Sequence, residues 1–280
     1  MRKIKIVADS SANILKLNDK DIEFSSAPLK IITAEKEFTD DSSLNVDGMV
    51  NYFDEYKGRS KTSCPSPSDW LEAFGDAEDI FCIAITSGLS GSYNSACVAK
   101  DIYETEHKDR RVYVMDSLTA GPEMELIVEK FREFIKKGMS YEEICTSIQK
   151  YKNKTGLIFM LESLKNFAAN GRISPTVAKI TGFLGIRIIG QASEKGDLEL
   201  LNKSRGEARS LETIFSHLKE MGLSKGKVRI AHCSNYPAAQ RLKEVILQAL
   251  PKVDVAISEC RGLCSYYAVK GGLLVGFEKM

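Results

Sequence analysis

The apolar runs 4–8, 80–85 and 112–115 are strand-length, and each ends in a turn rich in Asp, Ser, Thr or Gly. Helical periodicity alternates with them. Met124, Ile127, Val128, Phe131, Phe134 and Ile135 recur at the spacing of one helix face, as do Tyr141, Ile144, Cys145, Ile148 and Tyr151. This alternation predicts an α/β fold, a mostly parallel sheet with helices on both faces. In such a sheet the turns that follow the strands collect at one edge, where ligands bind. Hydroxyl-bearing turns after several strands are therefore expected to gather into one site.

The turn after residues 80–85 is the richest. It reads Thr86-Ser87-Gly88-Leu89-Ser90-Gly91-Ser92-Tyr93-Asn94-Ser95-Ala96, with four serines and two glycines. Tyr93, Ala96, Cys97 and Ile102 then carry helical spacing. A helix N-terminus has unpaired N–H groups and a partial positive charge. Ser and Gly at that point let an anion approach the backbone, which suits a carboxylate or a phosphate. The competing role for Ser90 is to cap the helix.

Other segments supply candidates of the same kind. Asp9-Ser10-Ser11-Ala12-Asn13 follows the first strand, and Asp9 is placed either to orient hydroxyls or to cap a helix. Residues 24–33 read as extended, with Pro28 at an edge or bulge. Residues 36–41 read as a polar loop, and Val46, Met49, Val50 and Phe53 as a short helix. In Thr62-Ser63-Cys64-Pro65-Ser66-Pro67-Ser68-Asp69, Ser66 fits an N-cap, Pro67 the first helical position and Asp69 the acid of a capping box. Thr62 and Ser63 lie outside that helix, in a Pro-stiffened loop, as candidate donors to an anion. Asp116-Ser117-Leu118-Thr119-Ala120-Gly121 is a further polar turn.

In the second half, residues 156–161 read as a strand, and 164–171 and 174–184 as helices. Arg172 sits in the break between those helices, either solvated or offering its fork of donors to an anion. Gly182, Gly185 and Gly190 leave room for close packing or for a ligand chain. Residues 203–209 form a basic loop and helix start. His232 ends the strand 227–231 and is either a structural donor or a phosphate contact.

Composition narrows the class. A chain of 280 residues builds one large or two moderate domains. With 43% apolar residues, 28% charged residues and a net charge of +1, it carries no nucleic-acid or membrane-surface footprint. No apolar run reaches bilayer length, and Met1-Arg2-Lys3-Ile4-Lys5 leads into a strand rather than a signal peptide. Seven scattered cysteines fit reduced thiols in a cytoplasm. Cys260 with Cys264, and His232 with Cys233, lack zinc-site spacing, so no metal is expected. Neither a phosphate-binding loop with Lys nor a dinucleotide fingerprint is present. Ser87-Gly88-Leu89-Ser90-Gly91 lacks the first glycine of a nucleophile elbow. A Ser–His hydrolase stays open, because triad partners need not be neighbours in sequence.

In combination these motifs carry a resemblance. Asp9-Ser10-Ser11, Thr62-Ser63-Cys64-Pro65-Ser66, the 87–96 turn, Asp116-Ser117, Asn170-Gly171-Arg172-Ile173-Ser174 and the helix 238–250 after His232-Cys233-Ser234-Asn235 occur in order. Over nearly its whole length the chain resembles the DegV family of bacterial fatty-acid-binding proteins. The resemblance implies two α/β domains, 1–155 with a mostly parallel, Rossmann-like sheet and 156–280 with a mixed sheet. A long-chain fatty acid would lie between them, with no cofactor and no metal. Its carboxylate would sit near Thr62 and Ser90, within a site that also takes in Ser87 and Gly91. A separate fatty acid kinase would phosphorylate that carboxylate for phospholipid synthesis. Arg172 and His232 would face the kinase, and this chain would be a carrier rather than the catalyst.

One stretch departs from the family pattern. Members usually carry Thr-His before Gly-Pro-Gly near the C-terminus, and that His helps hold the carboxyl group. Here the stretch reads Ser265-Tyr266-Tyr267-Ala268-Val269-Lys270-Gly271-Gly272, which puts Tyr267 in place of the His. Either the Tyr267 hydroxyl or the Lys270 cation would serve instead. An altered head-group site also leaves room for a different carboxylated or phosphorylated ligand, or for a small-molecule enzyme using Ser90.

Overall fold

The computed structural model describes residues 2–17, 19–173 and 185–280. The first part of the chain contains β1 (Ile4–Asp9), β2 (Glu23–Ala27), β3 (Lys30–Thr33), β4 (Glu37–Thr39), α1 (Val46–Glu55), β5 (Ser60–Ser63), α2 (Pro67–Phe74), β6 (Asp79–Ala84), α3 (Ser92–Glu106), β7 (Arg111–Asp116), α4 (Pro122–Lys136) and α5 (Tyr141–Lys152). The rest contains β8 (Thr155–Leu161), α6 (Lys165–Ala169), β9 (Ile186–Ala192), β10 (Leu198–Arg205), α7 (Glu207–Glu220), β11 (Lys227–His232), α8 (Tyr236–Ala249), β12 (Asp254–Glu259), α9 (Gly262–Ala268) and β13 (Leu273–Glu278). The expected helix over 174–184, with Gly182, lies outside the described residues.

Strands β2-β1-β6-β7 form an all-parallel sheet, and the apolar runs of β1, β6 and β7 are those expected from the sequence. Every residue of β6 is buried. Its side chains alternate between two cores. Ile80 and Cys82 pack with Trp70 and Phe74 of α2, while Phe81 and Ile83 pack with Phe131 of α4 and Ile144 of α5. A strand buried on both faces is apolar throughout rather than alternating. The mixed sheet runs β10-β9-β8-β13-β11-β12, antiparallel except for β11 and β12. One of its faces, with Ile158, Met160 and Val275, packs under Leu211, Leu242 and Ile246 of α7 and α8. Phe159, Leu161, Leu198 and Leu274 belong to a separate apolar cluster on the opposite side.

Several sequence expectations need correction. Residues 24–33 are not one extended element: β2 joins the parallel sheet, and after Pro28 β3 joins a small antiparallel sheet, β4-β3-β5. Residues 36–41 are not a polar loop. Glu37–Thr39 is a strand, and Asp40 is fully buried. Asp40 accepts the Gly262 and Leu263 N–H groups at 2.8 Å each, satisfying orphan donors at the start of α9. A Cβ on Gly262 would lie 2.6 Å from Asp40 Oδ1, so glycine there lets the start of α9 come this close to the carboxylate. Thr62 and Ser63 stand on β5 rather than in a loop. The basic stretch from Lys203 is the end of β10, and α7 begins only at Glu207. The capping box of Ser66 and Asp69 forms as expected, with Pro67 opening α2.

A seam of ion pairs joins the two large sheets. Glu129 on α4 takes Arg229 of β11 through two bonds of 2.7 and 2.9 Å. Lys227 donates to Glu129 at 2.8 Å and to Glu133 at 2.6 Å. Burial pushes the Glu129 carboxyl upward, but the Arg229 and Lys227 bonds together hold it below its ordinary range.

Candidate functional site

The site begins with Asp9 at the end of β1. Its carboxylate is wholly buried and accepts Ile85 N–H at 2.8 Å, Ser92 Oγ at 2.6 Å and both the N–H and hydroxyl of Ser11. Both roles open to it from sequence are filled, since it caps the short turn at Ser10–Ala12 and pins the serine-rich turn ahead of α3. Burial raises its pKa, opposed by those four bonds. Ser90 is not the helix cap: Gly91 holds that position without a side-chain cap bond, and Ser90 Oγ accepts only Ser92 N–H at 3.2 Å while lining the space in front of the helix.

That space is a cavity of about 300 Å³ between the parallel and mixed sheets. The size falls at the lower end of ligand pockets. Its walls are largely aliphatic and aromatic, including Leu157, Phe159, Leu161, Leu198, Leu263 and Leu274. Thr62, Ser63, Cys64, Ser90, Gly91, Arg172 and Tyr267 line it as well. Thr62 Oγ1 and the Tyr267 hydroxyl are 2.9 Å apart. A Cβ on Gly91 would lie 3.4 Å from Cys64 Sγ, so the turn before α3 and the end of β5 meet here. Arg172 Nε donates to Leu89 carbonyl oxygen at 2.9 Å, and its Nη1 donates to that of Asn170. One guanidinium thus ties the serine-rich turn to the turn after α6.

Burial raises the Tyr267 pKa, with the Thr62 bond opposing, so the phenol keeps its proton and offers a neutral hydrogen bond. Its ring packs against Phe167, centroids 4.4 Å apart. Burial also raises Cys64, and Arg172 opposes this weakly. A carboxylate entering this end would meet hydroxyls, a guanidinium and the N-terminus of α3, a donor set suited to an anion.

The structure brings Thr62, Ser90, Gly91, Tyr267 and Arg172 to one cavity. Ser87 lies apart: it is exposed, and its N–H is donated to the Asp116 carboxylate at 3.1 Å. His232 is buried away from the cavity lining, its ring edge-on to the exposed Tyr236 at 5.7 Å. Burial lowers the His232 pKa. Lys270 is also outside the lining, 3.8 Å from the Asp54 carboxylate at the surface.

Sequence reasoning passes over Asn170 and Tyr266. Asn170 Oδ1 accepts Thr62 N–H at 3.1 Å while its Nδ2 donates to the Tyr266 hydroxyl at 3.0 Å. The Tyr266 hydroxyl lies 2.7 Å from Ser60 Oγ. This strap holds β5, α6 and α9 in register around Thr62. The local signal for Asn170 is an Asn-Gly turn, which says nothing about a partner on β5.

The DegV family model matches residues 3–279. A DegV domain-containing protein of Streptococcus pneumoniae strain R6 is 42% identical over 276 residues, 98% of each chain. Among solved structures, a DegV family protein from Eubacterium eligens loaded with heptadecanoic acid is 41% identical with a TM-score of 0.96, covering 99% of this chain and 100% of that one. The Streptococcus pneumoniae Fatty Acid Kinase (Fak) B3 protein loaded with linoleic acid is also 41% identical, with a TM-score of 0.97 and the same coverage.

Proposed function

The chain belongs to the DegV family, and from that premise we propose that it binds a long-chain fatty acid and presents the carboxylate to a separate fatty acid kinase. The observation that carries this reading is the cavity, apolar along most of its wall and bearing Thr62, Ser90, Arg172 and Tyr267 together. An acyl tail in such a wall gains roughly 0.8 kcal/mol per buried methylene, less the cost of ordering and association. A small polar metabolite would leave most of this lining without a matching surface.

In this reading residues 1–155 carry the head-group turns and residues 156–280 close over the tail. Thr62, Ser90, Gly91 and Tyr267 hold the carboxylate, with Ser87 at the outer rim of the same turn. Arg172 stands where a phosphoryl donor would approach. His232 lies behind Tyr236, so a kinase meeting that corner would touch Tyr236 first. The protein acts as a carrier, in a cytoplasm, and the kinase does the chemistry. No described helix is long and apolar enough to cross a membrane.

Mass spectrometry of an organic extract of the purified protein tests the reading. One equivalent of a long-chain fatty acid is expected. Ser90→Ala should lower acyl affinity, and Arg172→Ala should impair phosphorylation by the kinase more than binding. A delipidated protein that takes up no fatty acid would sink the proposal.

A further inference from the structure

We propose that Asn170 is a positioning residue of the head-group site: without touching the ligand, it sets Thr62, Tyr267 and Arg172 at the spacing a carboxylate needs. This inference rests on the fatty-acid reading above. Asn170 and Tyr266 lie outside the cavity lining, while the three residues they hold are part of it. The arrangement starts with the way α6 ends. Gly171, at φ 68°, closes a Schellman turn. Its N–H bonds the Ala168 carbonyl at 3.1 Å, and the Arg172 N–H bonds the Phe167 carbonyl at 2.9 Å. The turn fixes Asn170 against β5, with Arg172 two residues on. β5 is an edge of its small sheet, so the outward N–H of Thr62 has no strand to meet. Asn170 Oδ1 takes that place at 3.1 Å.

A backbone N–H only donates and a carbonyl only accepts, which settles the way the Asn170 amide points. Oδ1 must face Thr62, so Nδ2 faces the Asn166 carbonyl at 2.9 Å and the Tyr266 hydroxyl at 3.0 Å. Both amide protons and the amide oxygen are then in use. The Tyr266 hydroxyl accepts from Nδ2, and its own proton goes to Ser60 Oγ at 2.7 Å. Asn166 Nδ2 donates to the Tyr266 carbonyl at 2.5 Å, and that carbonyl belongs to the peptide plane leading into Tyr267. Ser60, two residues before Thr62, and Tyr266, one before Tyr267, are thereby tied together. The Thr62 and Tyr267 hydroxyls meet at 2.9 Å as a result. The Asn170 carbonyl in turn accepts from Arg172 Nη1. One residue therefore bears on three of the groups that a carboxylate would meet, and a site is only as precise as the bonds behind it.

The test measures binding of palmitic acid, and of hexadecanol, which shares its chain and lacks its charge, to delipidated protein. Asn170→Ala should weaken palmitic acid about tenfold, the scale of one misplaced hydrogen bond to a charged group. Hexadecanol makes neutral bonds, about half as strong, and should weaken by about threefold at most. Tyr266→Phe keeps the ring against Phe53, centroids 5.0 Å apart, and decides the matter if Asn170→Ala does not fold. It should show the same gap between the ligands in smaller measure. Added to Asn170→Ala it should cost less than it does alone, since both act through one chain of bonds. Equal losses for acid and alcohol overturn this inference. So do an unchanged palmitic affinity in the folded variants and losses that simply multiply in the double variant. Each of those results leaves fatty-acid binding standing. Uptake of neither ligand by the unaltered protein removes the fatty-acid reading itself.

Discussion

Two seams join the parallel and mixed sheets, and they are built from opposite materials. Along α4 the seam is ionic, with Glu129, Glu133, Lys227 and Arg229 holding one another. Around the cavity it is apolar and hollow, crossed by a few bonds such as Thr62–Tyr267, Arg172–Leu89 and the Thr86 hydroxyl to Gly196 carbonyl oxygen at 2.9 Å. Partly buried charges must be paired where they stand, so the first seam admits one arrangement of the sheets. Apolar walls impose little direction, so the second seam is free to take a ligand as its missing core. The ionic side of the interface thus carries stability and the hollow side is open to a ligand.

Substitutions can break that division. Glu129→Ala would remove the two-bond partner of Arg229, whose side chain is only 9% exposed, and leave it the Asp254 carboxylate at 3.1 Å. A loss of about 3 kcal/mol in chemical denaturation is expected, with acyl affinity of the folded protein unchanged. Loss of affinity at full stability would mean that the ionic seam belongs to the binding site.

Glu125, one turn before Glu129 on α4, sharpens the comparison through pH. Burial raises it to about 7, with Glu129 adding and Arg229 opposing. The folded chain therefore holds a proton that the unfolded chain has released above its ordinary value of 4.5. Stability contributed by this group is present below that value and falls as pH rises through about 7. Glu125→Gln should remove the decline, gaining up to about 3 kcal/mol at alkaline relative to acidic pH. Parallel stability profiles for the two proteins would contradict this.

Effects on the cavity side should be smaller and appear in binding. Thr62→Val keeps the shape and deletes one donor, which should weaken fatty-acid binding about tenfold and shift stability by less than about 1 kcal/mol. Titration calorimetry and thermal melts on the same sample separate the two. Tyr267→Phe should cost only a few-fold in affinity, because its hydroxyl is one of several donors. Since burial keeps Tyr267 protonated, its contribution should not vary across neutral pH. An affinity step near neutrality that vanishes in Tyr267→Phe would contradict that.

Much of the parallel half was legible beforehand. The strands β1, β6 and β7, the helices α4 and α5, and the Ser66–Asp69 capping box are all local patterns, each readable within a few residues. The serine-rich turn was legible for the same reason, because a strand, a glycine-serine turn and a helix suffice to place unpaired N–H groups. The mixed half was harder. Strands β9 and β10 follow no clear alternation, since Gly190 and the irregular register near Leu200 interrupt it. Asp40 looked like part of a loop because its partners, Gly262 and Leu263, lie more than 200 residues further on.

The amino-acid sequence by itself determined the α/β class, the parallel core and the turns able to meet an anion. These follow from side-chain period and backbone chemistry, which act over a few residues. Only the tertiary structure decided that Thr62, Ser90, Arg172 and Tyr267 share one cavity, that Ser87 and His232 stand outside its lining, and that Phe159 lies across Gly190. Those outcomes depend on how two sheets are set against each other. That setting comes from pairings between distant residues, such as Glu129 with Arg229 and Asp40 with the start of α9, and no short stretch of sequence encodes it.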